Sequence, residues 1–213
     1  MKLKKITAVF LVFALTFTLC SCSQKKLFGN AESFMQAKEE ISQAVTSGED
    51  YYIKTISCIY GETGVTEYFR NGNKEVRRVE YDGYSARFIK TSDSYIVVDD
   101  IEKRAAIYPI ENAHDEVMSA DIDFIATVAQ LVGTDAPTYS VTNDDGSLTE
   151  IYTTGDEKCL FLTGEGKLRD ISFYDKDEKL YAEYFIEYGE KGDKTLFDYD
   201  GYTVTDMRKT QEE

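Results

Sequence analysis

The side chains with reactive chemistry are few, and most of them are cysteines. The 213 residues include four cysteines and one histidine. A thiolate can be acylated, can form a disulfide or can bind a metal. A single histidine excludes a metal site built from a histidine cluster, and a Ser-His-Asp triad could use only His114. His114 is expected to face solvent in the first turn of a helix, so we predict no catalytic and no metal-binding residue.

The N-terminus has the three zones of an export signal. Positive charge comes from Lys2, Lys4 and Lys5, and the 14 residues 6–19 form an apolar stretch that is broken only by threonines. A small residue, Ser21, then precedes Cys22. A charged start, a short apolar core and a small-residue cleavage zone are typical of a secretory signal. The stretch is too short for a comfortable transmembrane helix, which needs about 20 apolar residues.

The end of this signal resembles a lipobox, with an aliphatic residue three positions before the cysteine and a small one directly before it. Leu19 and Ser21 occupy these places if Cys22 is modified. Cys20 fits badly, since Leu19 would then stand at the small position. The resemblance implies diacylglycerol transfer to Cys22, palmitate-type acylation and cleavage before Cys22. Two acyl chains suffice for stable membrane anchoring.

This interpretation divides the chain into four parts. Residues 1–21 are the signal peptide, residues 22–30 a lipidated tether, residues 31–206 a single domain and residues 207–213 a charged tail. The protein is expected on the extracytoplasmic side of the cell membrane, or on the outer membrane if the organism has one. An ordinary secretory signal that is cleaved elsewhere is the alternative.

The net charge excludes one class of partner. It is −15 for the whole chain, and loss of the three signal lysines makes the remainder more acidic. Such a protein repels phosphate backbones, so nucleic acid is not expected as a partner. Abundant tyrosine, phenylalanine, valine and threonine favour strands. We expect a monomer without a cofactor. Cys58 and Cys159 could form a disulfide in an exported protein, but they stand in strand-like segments far apart in sequence, which favours two separate buried thiols.

The local pattern predicts two helices, each followed by a run of strands. Helical spacing of apolar residues favours helices over residues 31–47 and 113–132. Short runs separated by turns that contain Gly, Asp or Asn predict strands, at residues 51–60, 65–70, 74–81, 84–90, 94–99, 104–110, 139–142, 148–154, 159–163, 168–174, 180–188 and 202–206.

Short connections make successive strands antiparallel neighbours. The predicted fold is therefore α+β: a large curved antiparallel sheet of about 11–12 strands, an unclosed half β-barrel, covered by two main helices.

Acidic groups such as Asp144 with Asp145, or Asp175 with Asp177 and Glu178, fall in hairpin turns. They lack the spacing of a calcium loop and are expected to be solvated.

This order of elements over residues 31–206 resembles the LolA-like superfamily of lipoprotein carriers and lipid-binding lipoproteins. Residues 94–100 and 104–110 are similar to its paired strands. Residues 185–188, the Asp-x-x-Leu-Phe turn at residues 193–197 and residues 200–202 are similar to its C-terminal end. The resemblance implies an incomplete barrel around helices, with an apolar cavity. This chain differs from the soluble carrier because it has a predicted lipid anchor. A protein that shuttles between membranes is therefore not expected.

The leading functional hypothesis is a non-catalytic, membrane-anchored envelope lipoprotein that binds an apolar ligand, either a lipid or the acyl chains of another lipoprotein. The alternative is a protein-interaction or envelope-stress sensor module with a filled core and no ligand. Alternation within strands and the breadth of the second helix select the candidate ligand-binding residues, which are Phe69, Ile122, Ile125, Ile171, Phe173, Tyr184 and Ile186.

The anchor can be tested directly at the two neighbouring cysteines. We predict that Cys22→Ala abolishes lipidation, because no thiol then stands at the position that the lipobox requires. Cys20→Ala is the matched control and should leave lipidation intact. Metabolic labelling with a fatty-acid analogue measures both variants, and a Cys22→Ala protein that still carries the label would exclude the assignment.

Overall fold

The strand-rich part of the chain is the part that the structure describes. The computed structural model describes residues 36, 39, 40, 43, 49–113, 138–154, 157–189 and 192–208. Gln36, Glu39, Glu40 and Gln43 are helical, but they are the only described residues of the predicted first helix up to residue 47, so the two covering helices stay a prediction. The rest of that helix and nearly all of the second lie outside the described residues, as do Cys22 and His114. None of the described helical residues belongs to a helix long and apolar enough to cross a membrane.

Twelve strands lie within the described residues, which agrees with the predicted number of about 11–12. Most strand ends fall at the predicted residue, the others differ by one or two residues, and β2 begins three residues earlier. The strands are β1 Tyr51–Ile59, β2 Glu62–Asn71, β3 Lys74–Tyr81, β4 Tyr84–Lys90, β5 Ser94–Asp99, β6 Arg104–Pro109, β7 Tyr139–Thr142, β8 Leu148–Thr154, β9 Glu157–Gly164, β10 Lys167–Tyr174, β11 Leu180–Gly189 and β12 Thr203–Asp206.

Turn chemistry accounts for the accuracy of the bounds in β3 and β4. The two strands are joined by Asp82 and Gly83, whose φ angles are 23° and 72°. Two positive φ angles give the turn a twist that suits a two-residue hairpin, and Asp-Gly adopts them at low cost. The register of the hairpin then follows, with Tyr81 opposite Tyr84.

The two strand runs form one sheet because the first strand of one pairs with the last strand of the other. The order is β12-β6-β5-β4-β3-β2-β1-β11-β10-β9-β8-β7. At the junction β1 is antiparallel to β11, with Ile53 opposite Tyr188. The terminal strands β12 and β7 are not paired with each other, so the sheet is unclosed.

One pairing departs from the antiparallel prediction. β12 lies parallel to β6, with Val204 opposite Ala105. The chain leaves β11 in the middle of the sheet and crosses one face before it reaches the far edge. A strand that returns by such a crossing can run in the same direction as its new neighbour, whereas a short hairpin cannot.

The sheet buries a different apolar cluster on each face. Directly opposite residues share a face, so the registers assign the paired strand residues to one face or the other. The aromatic face is the larger and carries Tyr51, Ile53, Tyr68, Val79, Ala86, Phe88, Tyr95, Tyr152, Cys159, Phe161, Leu168, Ile171, Ala182, Tyr184, Ile186 and Tyr188. The clasped face carries Tyr52, Phe69, Val76, Ile89, Ile96, Val98 and Ala105, with Leu196 packed against them.

The clasped face is named for the C-terminal segment that covers part of it. This segment, residues 192–208, is called the clasp. Its 3-10 turn Lys194–Phe197 begins at Asp193, whose side chain accepts a hydrogen bond from the amide of Thr195. Leu196 is buried against the strands, and the ring of Phe197 lies 5.7 Å from that of Phe69.

Arg87 of β4 joins the clasp to the sheet. It is 6% exposed and makes a forked pair with Asp100, at 2.9 Å from Nε and 2.8 Å from Nη2. Its Nη1 donates to the carbonyl oxygens of Leu196 and Asp198, at 2.7 and 2.6 Å. A buried guanidinium is tolerated only when its donors are satisfied in this way.

Cys58 and Cys159 lie on opposite faces of the sheet. Cys58 lies opposite Glu183 on the clasped face and is partly exposed. Cys159 lies opposite Phe173 on the aromatic face and is buried. Both are free, as predicted, although Cys58 is less buried than expected. Side chains on opposite faces of one sheet cannot approach bonding distance.

The close contact between the clasp and the sheet at Gly192 predicts how an added methyl group changes stability. A Cβ added at Gly192 would stand 2.4 Å from the ring of Phe69. Gly192→Ala should therefore lower the free energy of unfolding by about 1–3 kcal/mol, through overpacking. Gly164→Ala is the control, because its Cβ would meet only Arg169 at 3.6 Å. Urea unfolding of both variants measures the difference, and equal stability would contradict the packing of the clasp.

Candidate functional site: the aromatic face of the sheet

Four of the predicted ligand-binding residues lie together on the aromatic face. Ile171 is directly opposite Tyr184, and Phe173 is opposite Ala182. Ile186 follows on the same face of β11 and is 4% exposed. The predicted alternation in β11 is confirmed, because Glu187 is exposed whereas Tyr184 and Ile186 are buried.

Phe69 does not join them. It is opposite Tyr52 and Val76 on the clasped face and is covered by Phe197 of the clasp. The alternation correctly placed Phe69 beside Val65, but alternation within one strand does not show which face of a distant strand it shares. Ile122 and Ile125 fall outside the described residues, so their grouping with the others stays a prediction.

The sequence reasoning missed the tyrosines that the first strand run contributes to the aromatic face. Tyr51, Tyr68 and Tyr95 come from this run, and Tyr152 and Tyr188 come from the second. Alternation marked buried positions in each strand, but the pairing of β1 with β11 places them on one surface. That pairing joins residues more than 100 positions apart and has no local signal.

The rings pack as pairs with defined geometry. Tyr152 meets Phe161 edge to face at 5.5 Å, and Phe173 meets Tyr184 edge to face at 6.1 Å. Edge-to-face pairs at such distances stabilise by about 0.5–1.5 kcal/mol beyond area burial. The face is thus a preformed apolar surface with ordered rings.

The charged residues that interrupt this surface are also buried. Arg77 is 5% exposed and lies between Tyr68 and Phe88 in the register. Glu150 is 4% exposed, and the hydroxyl of Tyr152 lies 3.3 Å from its carboxylate. A buried charge must be compensated by nearby polar groups.

Burial keeps the phenol of Tyr68 and the thiol of Cys159 protonated. Desolvation, together with the carboxylate of Glu75, raises the pKa of Tyr68 to about 12, although Arg70 acts in the opposite direction. Burial, with a smaller effect of Asp170, raises the pKa of Cys159. A protonated, buried thiol is a poor nucleophile.

The predicted acidic turns stabilise their own backbone. Asp145 accepts the amide of Ser147 at 2.9 Å, and Asp175 accepts the amide of Asp177 at 2.9 Å. Such bonds are typical of Asx turns. Within residues 49–113, 138–154, 157–189 and 192–208, no group of three or more His, Cys, Asp or Glu side chains is placed to hold a metal ion.

A small hollow lies beside the turn between β3 and β4. Its volume is about 220 Å³, and its walls include Thr63, Glu80, Asp82 and Ile101. Ligand pockets usually have volumes of about 300–1,000 Å³. The hollow is therefore too small for a lipid, and the aromatic face is the better candidate.

Comparison with known proteins adds weak structural likenesses. No family model and no curated protein matches the chain. Among solved structures, an uncharacterised conserved protein from Thermus thermophilus is 9% identical with a TM-score of 0.38, and 80% of this chain and 99% of that chain are covered. MucB, solved in complex with MucA, is 9% identical with a TM-score of 0.41, and 83% of this chain and 62% of that chain are covered.

A third structure is a DUF1329 family protein from Desulfovibrio piger. It is 10% identical with a TM-score of 0.27, and 80% of this chain and 98% of that chain are covered. Since all three TM-scores lie below 0.5, the functional argument is made from the residues of this chain.

The raised pKa of Tyr68 predicts how stability depends on alkaline pH. Below pH 10 the phenol is protonated in both states. Between pH 10 and about 12 the unfolded chain loses this proton while the folded protein retains it. The free energy of unfolding should therefore fall as pH rises, by about 1.4 kcal/mol per pH unit for each such tyrosine.

Urea unfolding across this pH range of the parent and of Tyr68→Phe measures the contribution. The variant should show a shallower loss of stability, because phenylalanine has no proton to lose. Tyr139→Phe is the control, since Tyr139 is 54% exposed. Identical pH profiles for the parent and Tyr68→Phe would contradict the burial of this hydroxyl.

Proposed function

We propose that this chain is a non-catalytic, membrane-anchored envelope lipoprotein of the LolA-like type, and that its aromatic face binds an apolar ligand. The ligand is a lipid or the acyl chains of another lipoprotein. The protein is held by lipid on Cys22 at the extracytoplasmic side of the cell membrane, or at the outer membrane where there is one.

The observation that carries the proposal is the continuity of the aromatic face. Its apolar residues extend from β5 through β1 and β11 to β8, and the ones named for this face are each 8% exposed or less. A molecule that meets them does so inside the protein, away from water. Burial of acyl methylenes against such a surface contributes about 0.8 kcal/mol per CH₂.

The anchor supports the same proposal. A lipidated protein is kept beside the source of acyl chains, and the strong negative charge keeps its body off an anionic surface. An anchored protein does not move between membranes, which suits a role in receiving or holding a lipid at one membrane.

Lipid analysis of the purified full chain tests the proposal. Mass spectrometry of a solvent extract should find an acyl lipid in constant proportion to protein, beyond that found with a lipoprotein of unrelated fold purified in the same detergent. Absence of such a lipid in repeated preparations would contradict the proposal and favour the alternative, an interaction or stress-sensor module with a filled core.

Two adjacent residues on opposite faces provide matched variants. Ile186 is 4% exposed on the aromatic face, whereas Phe185 is 46% exposed on the other face. We predict that Ile186→Ala lowers the amount of bound lipid severalfold, because the ligand loses contact area. Phe185→Ala should leave the amount unchanged. Equal lipid content in both variants would place the ligand elsewhere.

A further inference from the structure

Three residues with hydroxyl groups lie at one end of the aromatic face. Thr163 of β9 is opposite Leu168 of β10, and the amide of Leu168 donates to the hydroxyl oxygen of Tyr188 of β11 at 3.3 Å. Tyr188 is opposite Ile53 of β1, and Tyr51 lies two residues earlier on the same face. Thr163, Tyr188 and Tyr51 therefore form a row across four adjacent strands, which we call the hydroxyl end.

Two of these hydroxyls are buried without a protein partner. The Oη atom of Tyr51, a residue that is 3% exposed, and the Oγ1 atom of Thr163 have no hydrogen-bond partner within the described part of the chain. A buried polar group without a partner is costly, and native proteins contain few of them. Two at one end of an apolar surface indicate a ligand with a polar atom there.

All three groups can donate a hydrogen bond. Burial, the charge of Glu40 and the neighbouring Tyr188 raise the pKa of Tyr51. Burial is also the largest cause of the raised pKa of Tyr188. Both phenols therefore keep their protons at neutral pH. Because Tyr188 already accepts the amide of Leu168, its own proton is the one it offers. The complementary ligand group is a hydrogen-bond acceptor.

The local charges favour a neutral acceptor over an anionic one. The carboxylate of Glu40 lies at this end and pairs with Lys167 at 3.6 Å. Lys167 also donates to the carbonyl oxygen of Tyr188 at 3.2 Å and lies 4.9 Å from the centre of its ring. The charges of Lys167 and Glu40 therefore offset each other. Arg169, which also acts on Tyr188, is paired with Glu165 at 3.1 Å, so an anionic group gains little attraction at this end.

We propose that the hydroxyl end binds the carbonyl oxygens of an acyl ester whose hydrocarbon chain lies along the aromatic face. This inference rests on the proposed function and specifies its ligand class. It assigns Tyr51 and Thr163 as specificity-determining donors that distinguish an esterified acyl chain from a plain hydrocarbon or a free fatty acid.

The test uses the full chain reconstituted in lipid nanodiscs and a photoreactive analogue of methyl palmitate. Crosslinking yield is measured while methyl palmitate, palmitic acid or hexadecane competes. Tyr51→Phe and Thr163→Val should each weaken competition by methyl palmitate about tenfold, the effect of one lost hydrogen bond. Competition by hexadecane should be the same in the variants and the parent.

Thermal stability provides a second measurement, in which Tyr51→Phe should not be impaired although its ester binding is weakened. Tyr51→Phe removes a hydroxyl that has no partner, so its thermal midpoint without added ester should equal or exceed that of the parent. Tyr139→Phe is the control, because Tyr139 is 54% exposed and does not belong to the aromatic face. It should leave competition by the ester unchanged.

The outcomes separate this inference from the proposed function. Equal competition by methyl palmitate in Tyr51→Phe, Thr163→Val and the parent would overturn the inference and leave lipid binding intact. Stronger competition by palmitic acid than by methyl palmitate in the parent would overturn the neutral-ester assignment. No specific crosslink in the parent would overturn both proposals.

Discussion

The guanidinium of Arg87 is the contact on which the arrangement of the C-terminal segment depends. Arg87 lies buried in β4 and pairs with Asp100 through two nitrogens, while its remaining nitrogen binds two carbonyl oxygens of the clasp. Burial acts to raise the pKa of Asp100, but hydrogen bonds from Arg87 and Tyr202 outweigh it and hold that pKa below its usual range. Removing one partner of such a pair typically costs about 3–5 kcal/mol, because the other charge is left buried.

This contact determines which face of the sheet the C-terminal segment covers. With residues Leu196 and Asp198 held over β4, the chain continues to Tyr202, whose hydroxyl donates to Asp100 at 2.9 Å. The next residues then form β12 beside β6, in parallel orientation. The clasp thus covers apolar residues of β1 to β6 on one face. The opposite face carries a longer aromatic surface, which includes β8 to β11 and is buried as well. The functional proposal is based on this surface.

Local chemistry made most strands predictable from the sequence. Asp-Gly at positions 82 and 83 defines one hairpin, and alternation in β11 correctly separates Tyr184 and Ile186 from the exposed Glu187. Signals of this kind act over two to five residues, which is the range within which a turn or a pleat is determined. The predicted strands were therefore found within the described residues, with small differences at some of their ends.

Long-range pairing was not predictable in the same way. The pairing of β1 with β11, in which Ile53 is opposite Tyr188, brings tyrosines from both strand runs to one face. The sequence near either residue contains no signal for this pairing. Phe69 was placed in the wrong group for this reason. The parallel orientation of β12 was also missed, because it depends on Arg87 and carbonyl groups more than 100 positions away.

The most direct test of the account is the location of a bound acyl chain among the isoleucine methyl groups. Nuclear Overhauser effects between an acyl ester and full chain labelled at isoleucine methyls would be recorded. The account predicts contacts with Ile53, Ile171 and Ile186 on the aromatic face, and none with Ile89 and Ile96 under the clasp. Contacts confined to Ile89 and Ile96, or the absence of any contact at saturating ester, would contradict it.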